Sequence, residues 1–224
     1  MTAASFGVWG WRSAMWIFIP AVAFLAIVTA VVGDGRAVVI AGRKRTIRLS
    51  ELSQDAVTVA ELPPFVGAMS MLSVFLWATG AAITLFAAAL VPRGWRGARG
   101  FLLHVGLLTM LLAVDDALLL HEAVIPGVLN MPEELTLSLY AAVLLAAVVR
   151  FPARFAEPTS RATLLMAGLF FALAIVLDVS DPRLPYETWI EDSCKLLGIV
   201  GWVGFLVRAA ASELRPAHVS TPVA

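Results

Sequence analysis

The chain has 224 residues, 60% of them hydrophobic, and its sixteen Lys and Arg balance sixteen Asp and Glu to a formal net charge of zero. A mean hydropathy of +0.89 excludes an ordinary soluble domain. The neutral balance argues against nucleic acid as a partner, and the single cysteine, Cys194, excludes an intramolecular disulfide or a Cys-rich metal knuckle.

Six apolar stretches can each cross a hydrocarbon core of roughly 30 Å at about 20 residues apiece. They cover about 13–32, 65–90, 101–124, 133–150, 161–179 and 189–208. The first has features of a signal peptide, with Arg12 before it and Val28-Thr29-Ala30 loosely resembling a cleavage site. Its length and the tryptophans at its start, Trp9, Trp11 and Trp16, favour a retained helix anchored at the interface. Pro20 should kink it.

Between the first and second stretches the pattern changes. Ala37–Ala41, a turn at Gly42-Arg43 and Thr46–Leu49 read as a small β-hairpin within about 36–60, and Val57–Val59 could add a strand. Pro63-Pro64 precedes the second span and Pro92 follows it. The third span contains the run LLAVDDALLLHE over 111–122, with Asp115, Asp116, His121 and Glu122. Each ionised carboxylate in hydrocarbon costs about 2.5 kcal/mol or more, so such residues are rarely idle.

Pro132 with Glu133 and Glu134 suits the first turn of the fourth span, since prolines and acids favour helix N-termini. Thr159 or Ser160 can cap the fifth, which ends near Asp178, and Thr188 with Glu191 has capping-box spacing for the sixth. The sixth also carries Asp192, Lys195 and a glycine row, Gly198, Gly201 and Gly204, that should let a neighbouring helix approach closely.

The basic residues of the short loops set an orientation. Arg93, Arg96 and Arg99 mark the second connection as cytoplasmic, and Arg150, Arg154 and Arg161 mark the fourth. The expected fold is therefore an all-α integral membrane protein: a six-transmembrane-helix bundle with a small extracytoplasmic β-hairpin between helices 1 and 2. It should form one domain over 1–215, with a disordered tail over 216–224. The expected location is the cell membrane, multi-pass, with both termini cytoplasmic. The expected partners are membrane lipids and a second copy of the chain.

On an uninterrupted third helix, steps of 100° place His104, Asp115 and Glu122 on one stripe, with Asp116 and His121 diverging to either side. His104 falls about 16 Å from Asp115 along the axis, and Glu122 about 10 Å beyond it. On the sixth helix Glu191 and Lys195 are four apart and Asp192 three before the same lysine, so Lys195 should balance acids of its own helix and of the third.

Three readings of this cluster follow. The leading one is a metal-assisted membrane hydrolase acting on a lipid-like substrate. Asp115, His121, Glu122, Asp178 and Glu191 would hold one divalent ion (zinc, manganese or iron), with Asp116 or Asp192 as general base and Lys195 balancing charge. The second is a proton- or cation-coupled transporter in which His104 joins Asp115 and Glu122 in a relay. The third is a structural or accessory subunit whose ion network only fixes helix packing.

Overall fold

The computed structural model describes residues 65–92, 94–180 and 186–214 and, before these, only 19, 22–23, 25–31, 36–40, 43–47, 54, 57 and 60–63. The chain divides into two compact units, Met1–Val66 and Gly67–Ala224. In the first unit, residues 25–31 are helical. β1 (Arg36–Ile40) pairs antiparallel with β2 (Arg43–Ile47), Arg36 opposite Ile47 and Ile40 opposite Arg43. Val57 is helical and its carbonyl accepts from the Leu62 N–H at 3.0 Å; the rest of the third strand expected at 57–59 lies outside the described residues. So do half of the first expected span, 13–32, and the tail from 216.

In the second unit every described element is helical. Its elements are α1 (Ala68–Leu90), α2 (Arg96–Leu118), a π turn (Leu120–Val124), α3 (Ile125–Leu129), α4 (Glu133–Arg150), α5 (Pro152–Phe155), α6 (Pro158–Ser180) and α7 (Glu187–Leu214). α7 packs chiefly on α6 and α1, and α1 on α2. Phe101, Leu102 and Val105 of α2 meet Ile199, Phe205 and Leu206 of α7 in a fully buried core. Rings of Phe101, Phe155 and Phe205 stack or meet edge-on in it. Buried polar groups are tied inside the same interface: Trp202 Nε1 donates to Thr109 Oγ1 at 3.0 Å, and that hydroxyl donates to the Val105 carbonyl at 2.7 Å. Arg154 pairs with Glu213, joining α5 to α7.

The glycine row on α7 acts as a close-approach surface. A Cβ at Gly201 would lie 3.0 Å from the Ala167 backbone nitrogen of α6, and one at Gly198 would lie 2.7 Å from the Phe171 ring. The outward faces are apolar instead. Only 11% of the span within α6 is buried, and Leu165, Leu169, Ile175 and Val176 stand more than half exposed. Such a surface suits hydrocarbon, where van der Waals packing of small residues drives helix association.

The six-span expectation is not supported. Among the described residues four helices are long and apolar enough to cross a membrane: Ala68–Leu90, Arg96–Leu118, Arg161–Asp178 and Glu187–Leu214. A fifth span exists only if Leu120–Leu129 and Glu133–Arg150, bent by 119°, count as one broken crossing. The reason lies in the charges at the ends of α4, Glu133, Glu134 and Arg150. They leave fifteen apolar or weakly polar residues, 135–149, about 22 Å of helix at 1.5 Å per residue. The expected fold class is corrected accordingly: a helical architecture with four or five candidate spans. The β1–β2 ribbon lies within the first unit.

Local boundaries move as well. The third stretch does not run unbroken over 101–124; α2 stops at Leu118, and Leu119 takes a left-handed conformation with φ 50°. Thr188 is not a cap, because α7 has already begun at Glu187. Pro158 opens α6, which puts Thr159 and Ser160 inside its first turn.

Candidate functional site

The site is assembled by the break after α2. In a continuous α-helix Asp115 and His121 point in different directions, because six residues turn through about 600°. The left-handed Leu119 and the π turn fold the chain back instead. The Ala123 and Val124 N–H groups both bond to the Leu119 carbonyl, at 2.9 and 3.1 Å, and His121 comes to rest against Asp115. The His121 N–H donates to Asp115 Oδ1 at 2.9 Å, and its Nδ1 lies 2.5 Å from Asp115 Oδ2. A carboxylate only accepts, so Nδ1 carries the proton of this contact. Tyr140 of α4 completes the arrangement, donating its hydroxyl to Asp115 Oδ1 at 3.0 Å. With three donors and 4% exposure, Asp115 is buried and saturated.

His121 Nε2 faces two further acids, Glu122 Oε1 at 3.5 Å and Glu133 Oε1 at 3.7 Å. Both carboxylates are nearly half exposed, so these pairs are weakened by solvent. Across from them, Lys195 Nζ of α7 donates to Asp116 Oδ1 at 2.7 Å. Among the described residues, Asp116 Oδ2 is buried without a hydrogen-bond partner.

These groups line a cavity of about 550 Å³. Its polar wall holds Asp115, Asp116, His121, Glu122, Glu133, Asp178, Glu191 and Lys195. They come from the C-terminal ends of α2 and α6, the π turn and the N-terminal ends of α4 and α7, so the chamber sits at one end of the bundle. Beside it is a second cavity of about 340 Å³ with an almost wholly apolar lining, including Leu108, Leu144, Leu164 and Trp202. Trp77, Leu112, Leu137, Tyr140, Phe171 and Ile175 line both. Trp77 and Phe171 stack with ring centres 6.0 Å apart.

Of the residues singled out from sequence, Asp115, Asp116, His121, Glu122, Asp178, Glu191 and Lys195 all border the large chamber. Asp192 does not; it borders a pocket of about 30 Å³ with Ser70, Ser73, Asp116 and Lys195. His104 lies elsewhere, with Nε2 3.3 Å from the Val143 carbonyl of α4. The five expected metal ligands share the chamber, but among the described residues no group of three or more His, Cys, Asp or Glu side chains is disposed to hold a metal ion. Asp115 in particular is already committed to His121 and Tyr140.

Two residues escaped the sequence reading. Glu133 suits a helix-end acid, and nothing in the local pattern singles out Tyr140 by itself. Their spacing with Leu137, at i, i+4 and i+7, puts all three on one helix face, and that was the available signal.

Apolar outward faces, four or five candidate spans and an ionisable chamber at one end define a class: a helical protein compatible with a multi-pass membrane location. The chain belongs to the family described as Domain of unknown function (DUF8692), whose model matches residues 10–209. No curated protein and no solved structure matches it.

Proposed function

We propose that the protein is a membrane hydrolase acting on an amphiphile, with His121 as the acid–base residue. One observation carries this reading. The imidazole held by Asp115 stands in a polar chamber that shares six wall residues with an apolar one. A substrate with a polar head and a hydrocarbon tail matches that pair of chambers, and its scissile bond would fall near their junction.

In this mechanism Asp115 keeps the Nδ1 proton in place and leaves Nε2 as the base, the orienting role a carboxylate plays for a histidine in acyl transfer. Nε2 takes a proton from water as the water oxygen bonds to an ester or amide carbonyl. The imidazolium then returns that proton to the leaving oxygen or nitrogen as the acyl bond breaks. Tyr140 and the His121 N–H hold Asp115 in turn.

The test is turnover of acyl esters and amides of graded chain length by the purified protein in maltoside micelles. His121→Asn should lower kcat by about 10²–10⁴-fold while leaving substrate affinity within a few-fold. Wild-type rates in His121→Asn, or no turnover of any chain length by the wild type, would refute the proposal.

A second reading, a cation-coupled transporter, is favoured by the small pocket behind the chamber. At about 30 Å³ it has room for one water or one monatomic ion, and Asp116 and Lys195 border it and the chamber alike. Gradient-driven uptake into vesicles distinguishes this reading from hydrolysis.

A further inference from the structure

From the order in which the helices pack we infer that the apolar cavity opens sideways, between α4 and α6, and takes one hydrocarbon chain of a lipid directly from the surrounding membrane. The inference rests on the amphiphile reading above and adds to it the source of the ligand and its route. Helices α4, α2, α1, α7 and α6 pack each on the next, in that order. α4 and α6, the two ends of the series, do not pack closely on one another. The five helices therefore form an arc and not a closed ring, and the apolar cavity is its interior. Trp77, Leu108 and Trp202, from the three inner helices, make the floor, and α4 and α6 make the two lips. The lip residues recur at helical spacing, Leu137, Ala141 and Leu144 on α4 and Leu164, Gly168, Phe171 and Ile175 on α6, so each lip is one continuous helix face. The floor is buried, whereas Leu137, Ala141, Gly168 and Ile175 are exposed. A Cβ added at Gly168 would meet nothing within 4 Å. Ala141 and Gly168 stand near the middle of their helices, so the mouth is open there and not only at the end where the polar chamber lies.

Two observations say what enters. The interior offers little to water, which needs polar partners to be held in a cavity: the Tyr140 hydroxyl and Trp202 Nε1 are already spent on Asp115 and Thr109, and no charged residue borders this cavity. The mouth is also continuous with the outward apolar faces of both lips. Leu145 and Val149 of α4 and Leu165 and Leu169 of α6 are each more than half exposed. A mouth set between such faces opens on hydrocarbon, and a lipid chain crosses no polar surface to pass through it. At about 340 Å³ the cavity lies at the small end of ligand sites, which run about 300–1,000 Å³, and suits a single chain. Trp77 and Phe171 line both cavities, so a chain lying in the arc leads to the chamber that holds His121.

Photolabelling in vesicles tests this. The full chain is reconstituted in phosphatidylcholine containing a trace of phosphatidylcholine with a diazirine midway along one acyl chain, irradiated, and mapped by peptide mass spectrometry. Label is expected on the floor, at Leu108 and Trp202, as well as on the outward residues Leu165 and Leu169. Gly168→Phe, whose ring has open space to fill, and Ala141→Phe on the opposite lip should each cut floor labelling at least fivefold. Outward labelling should stay unchanged in both, which checks that each variant is folded. Equal floor labelling in wild type and both lip variants means another way in and overturns the inference, leaving the amphiphile reading standing. An unlabelled floor in the wild type also overturns it, the gap then being filled by a second copy or another helix, and takes the tail site from the amphiphile reading as well. The readout needs no turnover. A labelled floor that the lip variants close, in a protein that hydrolyses no acyl ester or amide, therefore upholds the inference and refutes the hydrolase alone.

Discussion

Replacing Lys195 by methionine probes the charge arrangement most sharply. The substitution keeps the length of the stem and removes the ammonium that donates to the Asp116 carboxylate at 2.7 Å. Removing one member of a fully buried ion pair costs about 3–5 kcal/mol, whereas an exposed pair contributes about 0–1 kcal/mol. This pair lies between: the Asp116 side chain is 9% exposed and that of Lys195 37%. The expected loss is therefore about 2 kcal/mol. For a chain of this size that corresponds to a fall in Tm of roughly 4–8 °C, measurable by near-UV circular dichroism in maltoside micelles. Asp116→Asn combined with Lys195→Met should recover most of the loss, since the amide carries no charge to strand. Glu191→Gln combined with the same change should not, although Glu191 is the favourable i, i+4 neighbour on the same helix. A loss under about 0.5 kcal/mol, or equal rescue by the two second-site changes, would show that the Asp116 pairing does not govern this part of the molecule.

Two packing predictions follow from the α6–α7 and α2–α7 contacts. Gly201→Ala should destabilise by about 1–3 kcal/mol, because the added methyl meets the Ala167 backbone, which cannot swing aside. Gly204→Ala, whose Cβ would stand 3.5 Å from Thr163 Cγ2, should be neutral or stabilise by up to about 1 kcal/mol through helix propensity. Thermal unfolding of the pair checks both, and a Gly201→Ala variant as stable as wild type would refute the close-approach argument. Trp202→Phe should cost about 2 kcal/mol, since it removes the donor to the buried Thr109 oxygen and opens space beside Phe205. Thr109→Val on that background should return part of the loss.

The sequence by itself determined which residues matter more than how they meet. Ionisable groups within apolar stretches are costly enough to be conspicuous, so seven of the eight side chains on the polar wall of the chamber stand out by composition alone. The glycine row on the last helix was equally legible, because only a close neighbour requires three small residues at that spacing. Span counting was less secure. Hydropathy alone credits residues 133–150 with a crossing, while the charges at both ends of α4 and the 119° bend before it show a broken element.

Tertiary structure decided the site itself. Helical periodicity assumes that the helix continues, and on that assumption Asp115 and Glu122 share a face while His121 diverges. A single left-handed residue at Leu119 reverses the outcome: His121 turns back onto Asp115, and Glu122 lies beside its outer nitrogen. Nothing in the local run LLAVDDALLLHE marks that break, since leucine is a poor candidate for positive φ. The turn back brings His121 onto Asp115, and the same site draws on Tyr140 from 25 positions along the chain and on the Asp116–Lys195 pair across 79. Contacts at such separations are set by packing, not by local pattern. The identity of the groups could therefore be read from the sequence, and the pairing of Asp115 with His121 could not.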